Sequence, residues 1–311
     1  MISHPEVFQG SASYPDPSPG PVLTIGNFDG VHRGHRILLD RVVARAREVG
    51  RPACVYTFDP APRDVLRPGN PILRIQTLED RLACLGRAGI DQVVVERFTL
   101  EVGAMKARDF AAEILGRRLG VSALVVGYDF RFGHKRQGTV DDLRQWLDVP
   151  VEQVGPYAPG GELISSSRIR EAVKAGRVAE AATLLARPHV VSGRVVRGDA
   201  RGRDLGYPTA NVAARTPLVP ADGIYVVRID IGDGTLRPAV ASIGVRPTFD
   251  DGLDRRVEVH LLDFDGDLYD REVHVHFLRF LRGEEAFDSV EALVSQMALD
   301  AAAARAVLEA E

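Results

Sequence analysis

Short apolar segments alternate with amphipathic segments through the first half of the chain. Each apolar segment is five or six residues long and nearly continuous, which is typical of strands buried on both faces of a parallel sheet. Between them, apolar residues recur at helical spacing. We therefore predict an α/β domain in which helices cover a parallel sheet. The predicted strands are Pro21–Gly26, Ala53–Phe58, Gln92–Glu96 and Ala123–Gly127, and the predicted helices are His35–Val49, Thr77–Ala88 and Lys106–Leu119.

The periodicity changes after Arg187-Pro188. From there on, strand-like segments are separated by Gly, Pro and Asp, and alternation of apolar and polar residues is clearest at Val257–Leu261. This pattern predicts a small antiparallel barrel. The predicted strands are Val190–Arg197, Gly223–Ile231, Pro238–Ile243, Arg256–Leu262 and Glu272–Leu281.

The two ends of the chain differ from the rest. Near the start, Ser11–Pro21 is rich in Ser and Pro and predicts a flexible lead-in. At the other end, one apolar helical stripe predicts a C-terminal helix on the barrel, and Asp288 with Glu291 resembles an N-terminal cap pair. We predict two domains, residues 1–186 and residues 187–311. The stripe consists of Val290, Leu293, Val294, Met297, Ala301, Ala304 and Leu308.

Composition narrows the class of protein. With 311 residues, 45% hydrophobic, the chain can form two domains with buried cores, and collagenous or disordered classes are excluded. A net charge of −4 does not favour nucleic acid or membrane as a partner. The only cysteines, Cys54 and Cys84, are not in a CxxC motif, so we expect a reducing cytoplasm. We see no signal peptide and no apolar run near the roughly 18 residues that span a bilayer.

A glycine-rich segment, Gly26–His35 (GNFDGVHRGH), connects the first predicted strand to the first predicted helix. Glycines allow close backbone approach, and a helix N-terminus offers free N–H groups to an anion. His32 and His35 are three residues apart, so both can face one phosphate and stabilise charge that develops at phosphorus. A metal pair or a simple helix start is the alternative, although no matching third ligand is present.

Three consecutive serines, Ser165 to Ser167, precede a further predicted helix that ends near Gly176. Ser166 or Ser167 alone would be an ordinary N-cap. Together with Arg170, the hydroxyls can hold phosphates at a second helix N-terminus. The sequence has neither a GxxxxGK[ST] loop nor a GxGxxG after a strand, which argues against the common alternative phosphate sites.

The segment Gly193–Asn211 (GRVVRGDARGRDLGYPTAN) is the third candidate. Its glycines indicate a loop that approaches phosphate, although a glycine-rich hairpin with a polar edge is the alternative. Thr209 and Asn211 are two residues apart, so on an extended segment they point to the same side and suit a hard cation such as Mg²⁺. Glu258 lies on the polar face of a predicted strand, either as a solvated carboxylate or as a general base.

These motifs resemble known families. HxGH followed by SSSxxR resembles the nucleotidyltransferases that transfer AMP from ATP and release pyrophosphate, and LGYPTAN resembles the signature of riboflavin kinases. Ser242–Thr248 and Val257–Phe264 resemble later strands of the riboflavin kinases. In this order on one chain, from about Val22 to Ala306, the motifs resemble the prokaryotic bifunctional riboflavin kinase/FAD synthetase family.

The resemblance implies a fold and two reactions. The fold is a Rossmann-like nucleotidyltransferase domain followed by a six-stranded antiparallel β-barrel. The C-terminal domain would phosphorylate riboflavin with ATP to give FMN, and the N-terminal domain would adenylate FMN with a second ATP to give FAD and pyrophosphate. Mg²⁺ is implied as the cofactor. The implied partners are riboflavin, FMN, FAD and ATP, with no obligate protein partner.

The motifs and the resemblance together assign roles to residues. The expected catalytic residues are His32, His35 and Arg170 for adenylyl transfer and Glu258, as the base, for the kinase. We expect flavin to contact Phe58, Pro60 and Arg246, and the metal to be held by Thr209 and Asn211. The expected ATP- and phosphate-binding residues are Gly26, Asn27, Phe28, Gly30, Gly34, Asp129, Ser165, Ser166, Ser167, Gly193, Gly198, Gly206 and Pro208.

Two alternatives stay open, and one of them rests on a departure from the family pattern. The family usually has PHP where this chain has Pro60-Ala61-Pro62, so a histidine often expected in the transferase is missing. A kinase that has lost adenylyl transfer through Ala61 is one alternative. A regulator that binds flavin in its barrel without turning over ATP is the other.

Overall fold

A six-stranded parallel sheet and a six-stranded barrel organise the chain in a computed structural model that describes residues 4–15, 20–197, 206–246 and 254–310. The chain divides into two compact units. The first contains Met1–Ile72 and Leu78–Ser165, and the second contains Leu73–Thr77 and Ser166–Glu311. The short segment Leu73–Thr77 thus packs with the barrel.

The sheet of the first unit is parallel throughout, in the order β1-β4-β3-β2-β5-β6. From the central β2 the chain proceeds to one side through β3 and β4 and to the other through β5 and β6. The strand order therefore reverses between β2 and β5, and open α/β sheets bind ligands beyond the carboxyl ends of the strands at such a point. The strands are β1 (Glu6–Gln9), β2 (Val22–Ile25), β3 (Ala53–Phe58), β4 (Gln92–Glu96), β5 (Ala123–Gly127) and β6 (Val151–Val154).

Helices cover both faces of this sheet. They are α1 (Arg33–Val49), α2 (Pro62–Leu66), α3 (Leu78–Arg87), α4 (Leu100–Ala104), α5 (Ala107–Asp109, continued by a π-helix over Phe110–Arg118) and α6 (Val140–Trp146). Alternate strand residues face opposite sides, so Val22 packs against α1 and α3 whereas Leu23 packs against α5 and α6. This two-sided burial explains why the strand sequences are continuously apolar.

The second unit is a closed antiparallel barrel in the order β10-β11-β8-β7-β12-β9. Its strands are β7 (His189–Val196), β8 (Ala210–Ala214), β9 (Gly223–Asp230), β10 (Leu236–Arg246), β11 (Asp254–Leu261) and β12 (Glu272–Arg282). Its helices are α7 (Ser166–Lys174), α8 (Val178–Leu185) and α9 (Val290–Glu309). Helix α9 packs Ala301 and Ala304 against Val226 of β9 and Leu262. In the described part of the chain no helix is long and apolar enough to cross a membrane.

The predicted fold class is confirmed, with corrections to single elements. Strands β1, β6 and β8 were not predicted, because they are only four or five residues long and are not continuously apolar. The prediction of a flexible lead-in is wrong for Ser11, whose buried N–H donates to the Glu96 carboxylate at 2.8 Å. The cap of α9 is Ser289 rather than Asp288, since the Ser289 hydroxyl accepts from the Ala292 N–H.

Candidate active sites

The loop that leaves β2 has an unusual backbone. Phe28 and Val31 both have positive φ angles, 49° and 40°, which are costly for residues with a side chain. The Phe28 ring is only 2% exposed and lies in the core beside α1. Burial of this ring therefore holds the loop in a conformation that the isolated sequence would avoid.

His32 and His35 lie together at the N-terminus of α1. His32 is the N-cap, and its Nδ1 accepts a hydrogen bond from the His35 backbone N–H at 3.3 Å. Nδ1 is therefore unprotonated, and the neutral His32 ring carries its proton on Nε2. The two rings stack with centroids 3.6 Å apart.

The electrostatics of this pair favour a neutral His35. Burial lowers the pKa of His35 well below its usual value, and the neighbouring His32 lowers it further. The buried Nδ1 of His35 has no hydrogen-bond partner among the described residues. A buried polar atom without a partner is costly, and a bound ligand would satisfy it.

Gly34 lies between these histidines, where a side chain would fit only tightly. A Cβ there would be 3.3 Å from the His32 ring and 3.4 Å from the Ile164 carbonyl oxygen. The glycine therefore allows the His32 ring to lie against the first turn of α1.

The segment that leaves β3 is fixed to the loop after β2 by a buried arginine. Arg81 of α3 donates to the Asn27 carbonyl at 2.8 Å and to the Phe58 carbonyl at 3.2 Å. Phe58 is half-buried and Pro60 is exposed, and the peptide bond between Asp59 and Pro60 is cis. The predicted flavin contacts Phe58 and Pro60 thus follow a strand adjacent to β2.

Asp129 and Ala61 flank the same edge of the sheet. Asp129 is exposed two residues beyond β5, the strand that pairs with β2 on its other side. Its carbonyl accepts from Arg136 at 3.4 Å. Ala61 is 3% exposed and is the N-cap of α2, where its side chain makes no capping hydrogen bond.

The serine cluster opens α7. Ser165 ends the first unit, and Ser166, Ser167 and Arg170 belong to the second. The Arg170 Nε donates to the Leu73 carbonyl at 3.0 Å. The roles expected for these four residues stay predictions.

On the outside of the barrel, a row of side chains runs across four strands. Glu258 of β11 is directly opposite Ser242 of β10 and Asn211 of β8, and Ser242 is opposite Ile224 of β9. Directly opposite residues in antiparallel strands share a face. The neighbouring Val257 is buried in the barrel, so this row faces outward.

A cavity of about 440 Å³ is lined by three residues of this row, Glu258, Ser242 and Ile224. Its polar lining residues include Glu258, Thr209 and Ser242, and its apolar ones include Leu293 and Met297 of α9. The volume is within the range of small-molecule sites. The other lining residues are Tyr207, Val240, His260, Arg282, Glu284, Glu285, Phe287, Asp300 and Ala301.

Charged residues shape the walls of this cavity. Burial raises the pKa of Glu284, and the negative charges of Asp222 and Glu258 raise it further. Arg282, which also lines the cavity, makes a bidentate ion pair with the buried Asp300 of α9, through hydrogen bonds of 3.0 and 2.7 Å. Among the described residues, no group of three or more His, Cys, Asp or Glu is arranged to hold a metal ion.

Comparisons with known proteins cover both units. A family model described as FAD synthetase matches residues 15–168, and one described as riboflavin kinase matches residues 185–308. A bifunctional riboflavin kinase/FMN adenylyltransferase of Pseudomonas fluorescens is 43% identical over 93% of this chain and 93% of its own length. The enzyme of that name from Escherichia coli (strain K12) is 40% identical, with the same coverage. The chain belongs to the bifunctional riboflavin kinase/FMN adenylyltransferase family.

A solved structure agrees in fold. The crystal structure described as a macrolide-efflux protein from Streptococcus pneumoniae has a TM-score of 0.89 and 34% identity to this chain. The match covers 98% of this chain and 99% of the other. The family models and the curated relatives confirm the predicted family and the predicted activities of a riboflavin kinase and an FMN adenylyltransferase.

The structure brings together part of the predicted riboflavin kinase site. Thr209 and Glu258 line one cavity, and Asn211 is opposite Glu258. Pro208 is held beside them, since its carbonyl accepts from His260 Nδ1 at 2.9 Å. Gly206 lies in an exposed turn with a φ of 81°.

Of the three other residues predicted for the riboflavin kinase, only Gly193 can be compared with the prediction. Gly193 lies inside β7, where a Cβ would collide with the Ala213 carbonyl. Strand packing therefore explains this glycine without a phosphate contact. Gly198 and the side chain of Arg246 lie outside the described residues.

Sequence reasoning missed several residues of this riboflavin kinase/FMN adenylyltransferase. Arg81 could have been noticed as a charged residue on the apolar face of a predicted helix, near Leu82 and Leu85. Arg282 and Asp300 lie 18 residues apart, and no local spacing connects them. The pairing requires the packing of α9 on the barrel.

Proposed function

We propose that this family member makes FMN in the barrel cavity and FAD at the loop that follows β2. The convergence of Glu258 and Thr209 in one cavity supports the first assignment most directly. The stacked histidines, with a buried ring nitrogen that lacks a partner among the described residues, support the second. Residues 1–186 would serve adenylyl transfer and residues 187–311 the kinase, a division that the matched ranges 15–168 and 185–308 support.

In the kinase reaction, Glu258 acts as the general base. Its carboxylate takes the proton of the primary hydroxyl of riboflavin as that oxygen attacks the γ-phosphorus of ATP, and ADP leaves. The apolar side of the cavity, including Leu293 and Met297, packs against the flavin ring. Gly198, Gly206 and Pro208 remain the candidates for phosphate contacts, and Arg246 for a flavin contact.

The oxygen donors near Glu258 fit Mg²⁺. The Thr209 hydroxyl and the Asn211 amide oxygen are hard ligands, and Mg²⁺ commonly takes one or two protein ligands together with substrate phosphates. When bound, the ion would neutralise charge on the phosphates of ATP. Strand β8 fixes Asn211 beside β11, and Thr209 immediately precedes that strand.

In the adenylyl transfer, the FMN phosphate attacks the α-phosphorus of ATP in line, and pyrophosphate leaves without a covalent enzyme intermediate. The His32 Nε2–H and the N-terminus of α1 donate to the phosphates as charge moves onto the leaving group. Gly26, Asn27, Phe28 and Gly30 of the loop approach the phosphates, together with Gly34 in the first turn of α1.

Other residues take supporting roles in adenylyl transfer. Asp129 contacts the adenylate, and Phe58 with Pro60 contacts the flavin of FMN. Arg170 and the serines Ser165, Ser166 and Ser167 hold phosphate, which suits a helix N-terminus that carries hydroxyls. The buried free thiols of Cys54 and Cys84 suit a cytoplasmic location.

Single substitutions test the two assignments. With riboflavin, ATP and Mg²⁺, the variant His32→Ala should form FMN but no FAD on chromatography. The variant Glu258→Gln should form no FMN, yet it should convert supplied FMN to FAD at the rate of the unmodified enzyme. His4→Ala and Glu272→Gln are matched controls, since both residues are exposed and outside the proposed sites. FAD formation by His32→Ala, or FMN formation by Glu258→Gln, would overturn the corresponding assignment.

A further inference from the structure

Arg81 is a buried charged residue that the proposed chemistry does not use. Its side chain is about 5% exposed, on the apolar face of α3 beside Leu85. It donates to the Asn27 carbonyl at 2.8 Å and to the Phe58 carbonyl at 3.2 Å. These carbonyls belong to two neighbouring strand ends, since Asn27 follows β2 and Phe58 is the last residue of β3.

Folding alone gives little reason for a guanidinium at this position. Burying a charge is costly, and replacing a buried charged group by an apolar residue of similar volume is often neutral or stabilising. The Asp59 carboxylate is 3.9 Å from Arg81 and its side chain is 54% exposed, so solvent weakens that ion pair. What the guanidinium adds is geometry, because its planar fork can hold two carbonyls at once.

The carbonyl that Arg81 holds controls the loop after β2. A trans peptide is planar, so the direction of the Asn27 carbonyl also fixes the opposite direction of the Phe28 N–H. Phe28 is the first residue of the loop with a positive φ. The hydrogen bond from Thr57 Oγ1 to the same carbonyl, at 3.4 Å, adds a second restraint from β3.

We propose that Arg81 is a positioning residue for adenylyl transfer. Its guanidinium holds the loop that leads to His32 in a fixed relation to the Phe58 segment. In-line attack depends on the placement of the reacting groups, and a misplacement of about 1 Å can cost about 100-fold in rate. The inference rests on the proposed assignment of FAD formation to the loop that follows β2.

Two substitutions with a matched control test this role. Arg81→Met keeps the apolar stem and removes both hydrogen bonds, so kcat for FAD formation from FMN should fall about 10- to 100-fold while KM for ATP stays within about threefold. Arg81→Lys keeps the charge but not the fork, so its kcat should lie between those of Arg81→Met and the unmodified enzyme. Arg87→Met, an exposed arginine on the same helix, should match the unmodified enzyme.

FMN formation and Trp146 fluorescence serve as controls for the folding of each variant. Formation of FMN from riboflavin should stay unchanged within about twofold in every variant, because that reaction is assigned to the barrel. Trp146, the only tryptophan, lies in the first unit, so its fluorescence reports whether that unit is folded. If Arg81→Met does not fold, Arg81→Lys decides: a reduced kcat supports the proposal, and an unchanged kcat overturns it.

Two further results would overturn the role of Arg81. One is FAD formation by both variants at the rate of Arg87→Met. The other is a kcat for Arg81→Met equal to that of the unmodified enzyme under conditions in which Trp146 fluorescence shows the first unit to be fully folded. A residue that only stabilises the fold would give this result, because its loss would change only the amount of folded protein. The variant His32→Ala distinguishes failure of the Arg81 proposal from failure of the proposed site of FAD formation. If His32→Ala loses FAD formation while the Arg81 variants keep it, only the role of Arg81 is wrong.

Discussion

Neighbouring groups, more than the residue types themselves, determine the chemistry of single residues in both sites. His32 is held in one tautomer because its Nδ1 accepts the His35 N–H. His35 is kept neutral by burial, with His32 as a second cause. Glu258 shares its cavity with Glu284, whose pKa is raised by burial and by the negative charges of Asp222 and Glu258.

The lowered pKa of His35 predicts a pH-dependent stability of the first unit. Below about pH 6.5 the unfolded chain binds a proton at His35 that the folded chain does not bind. The free energy of unfolding should therefore fall as the pH decreases from about 6.5 toward the lower folded pKa. Urea unfolding followed by Trp146 fluorescence should show a smaller loss between about pH 7.5 and about pH 5.5 in His35→Gln than in the unmodified protein. An equal loss in both would contradict this origin.

The close packing at Gly34 predicts a selective loss of FAD formation. In Gly34→Ala the new methyl group pushes the His32 ring away, so kcat for FAD formation should fall about 10-fold, with FMN formation unchanged. Alanine is favoured over glycine in a helix, so the midpoint of thermal unfolding should not fall. Gly69→Ala is the control, because a Cβ at Gly69 would contact nothing within 4 Å. Equal kcat values for the two variants would contradict the assigned packing.

At the scale of elements, α9 lines the cavity proposed for the kinase reaction and also packs against the barrel. It contributes Leu293 and Met297 to the cavity and packs Ala304 in a small core with β9. The bidentate ion pair between Arg282 and Asp300 attaches this helix to β12. The geometry of the cavity therefore depends on how firmly α9 is held.

Breaking this ion pair should weaken both the fold and riboflavin binding. Asp300→Asn leaves the mostly buried Arg282 without its carboxylate, which should lower the free energy of unfolding of the barrel by about 3 kcal/mol. KM for riboflavin should rise, while FAD formation from FMN stays unchanged. Asp263→Asn, which breaks an exposed ion pair to Arg305 of the same helix, should change stability by less than about 0.5 kcal/mol. Equal effects of the two variants in urea unfolding and kinase kinetics would contradict this role.

The sequence predicted those strands in which buried apolar residues are consecutive or alternate strictly with polar ones. β3 and β5 were found because their apolar runs are buried on both faces. β8 was missed because ANVAA is weakly apolar, yet this strand places Asn211 opposite Glu258. The site motifs were found because each is a short stretch of consecutive residues. Arg81 and the ion pair between Arg282 and Asp300 depend instead on contacts between segments distant in sequence. Such contacts leave no periodic signal.

At the scale of the whole molecule, the chain combines two folds, each suited to one of its reactions. The first unit offers a parallel sheet with a switch point between β2 and β5, and the second offers a barrel with an outward polar row under α9. Only 3 of the 39 basic residues are lysine, and none follows Lys174. Helix N-termini, glycine-rich loops, histidine and arginine can bind phosphates in place of lysine.

The central claim is that each reaction belongs to its own set of residues, and mixing two defective variants tests it most directly. His32→Ala should stop at FMN and Glu258→Gln should leave riboflavin unchanged, so neither alone makes FAD from riboflavin and ATP. An equimolar mixture should make FAD, because FMN released by the first variant is adenylated by the second. FAD from either variant alone, or no FAD from the mixture when both proteins are folded, would contradict the account.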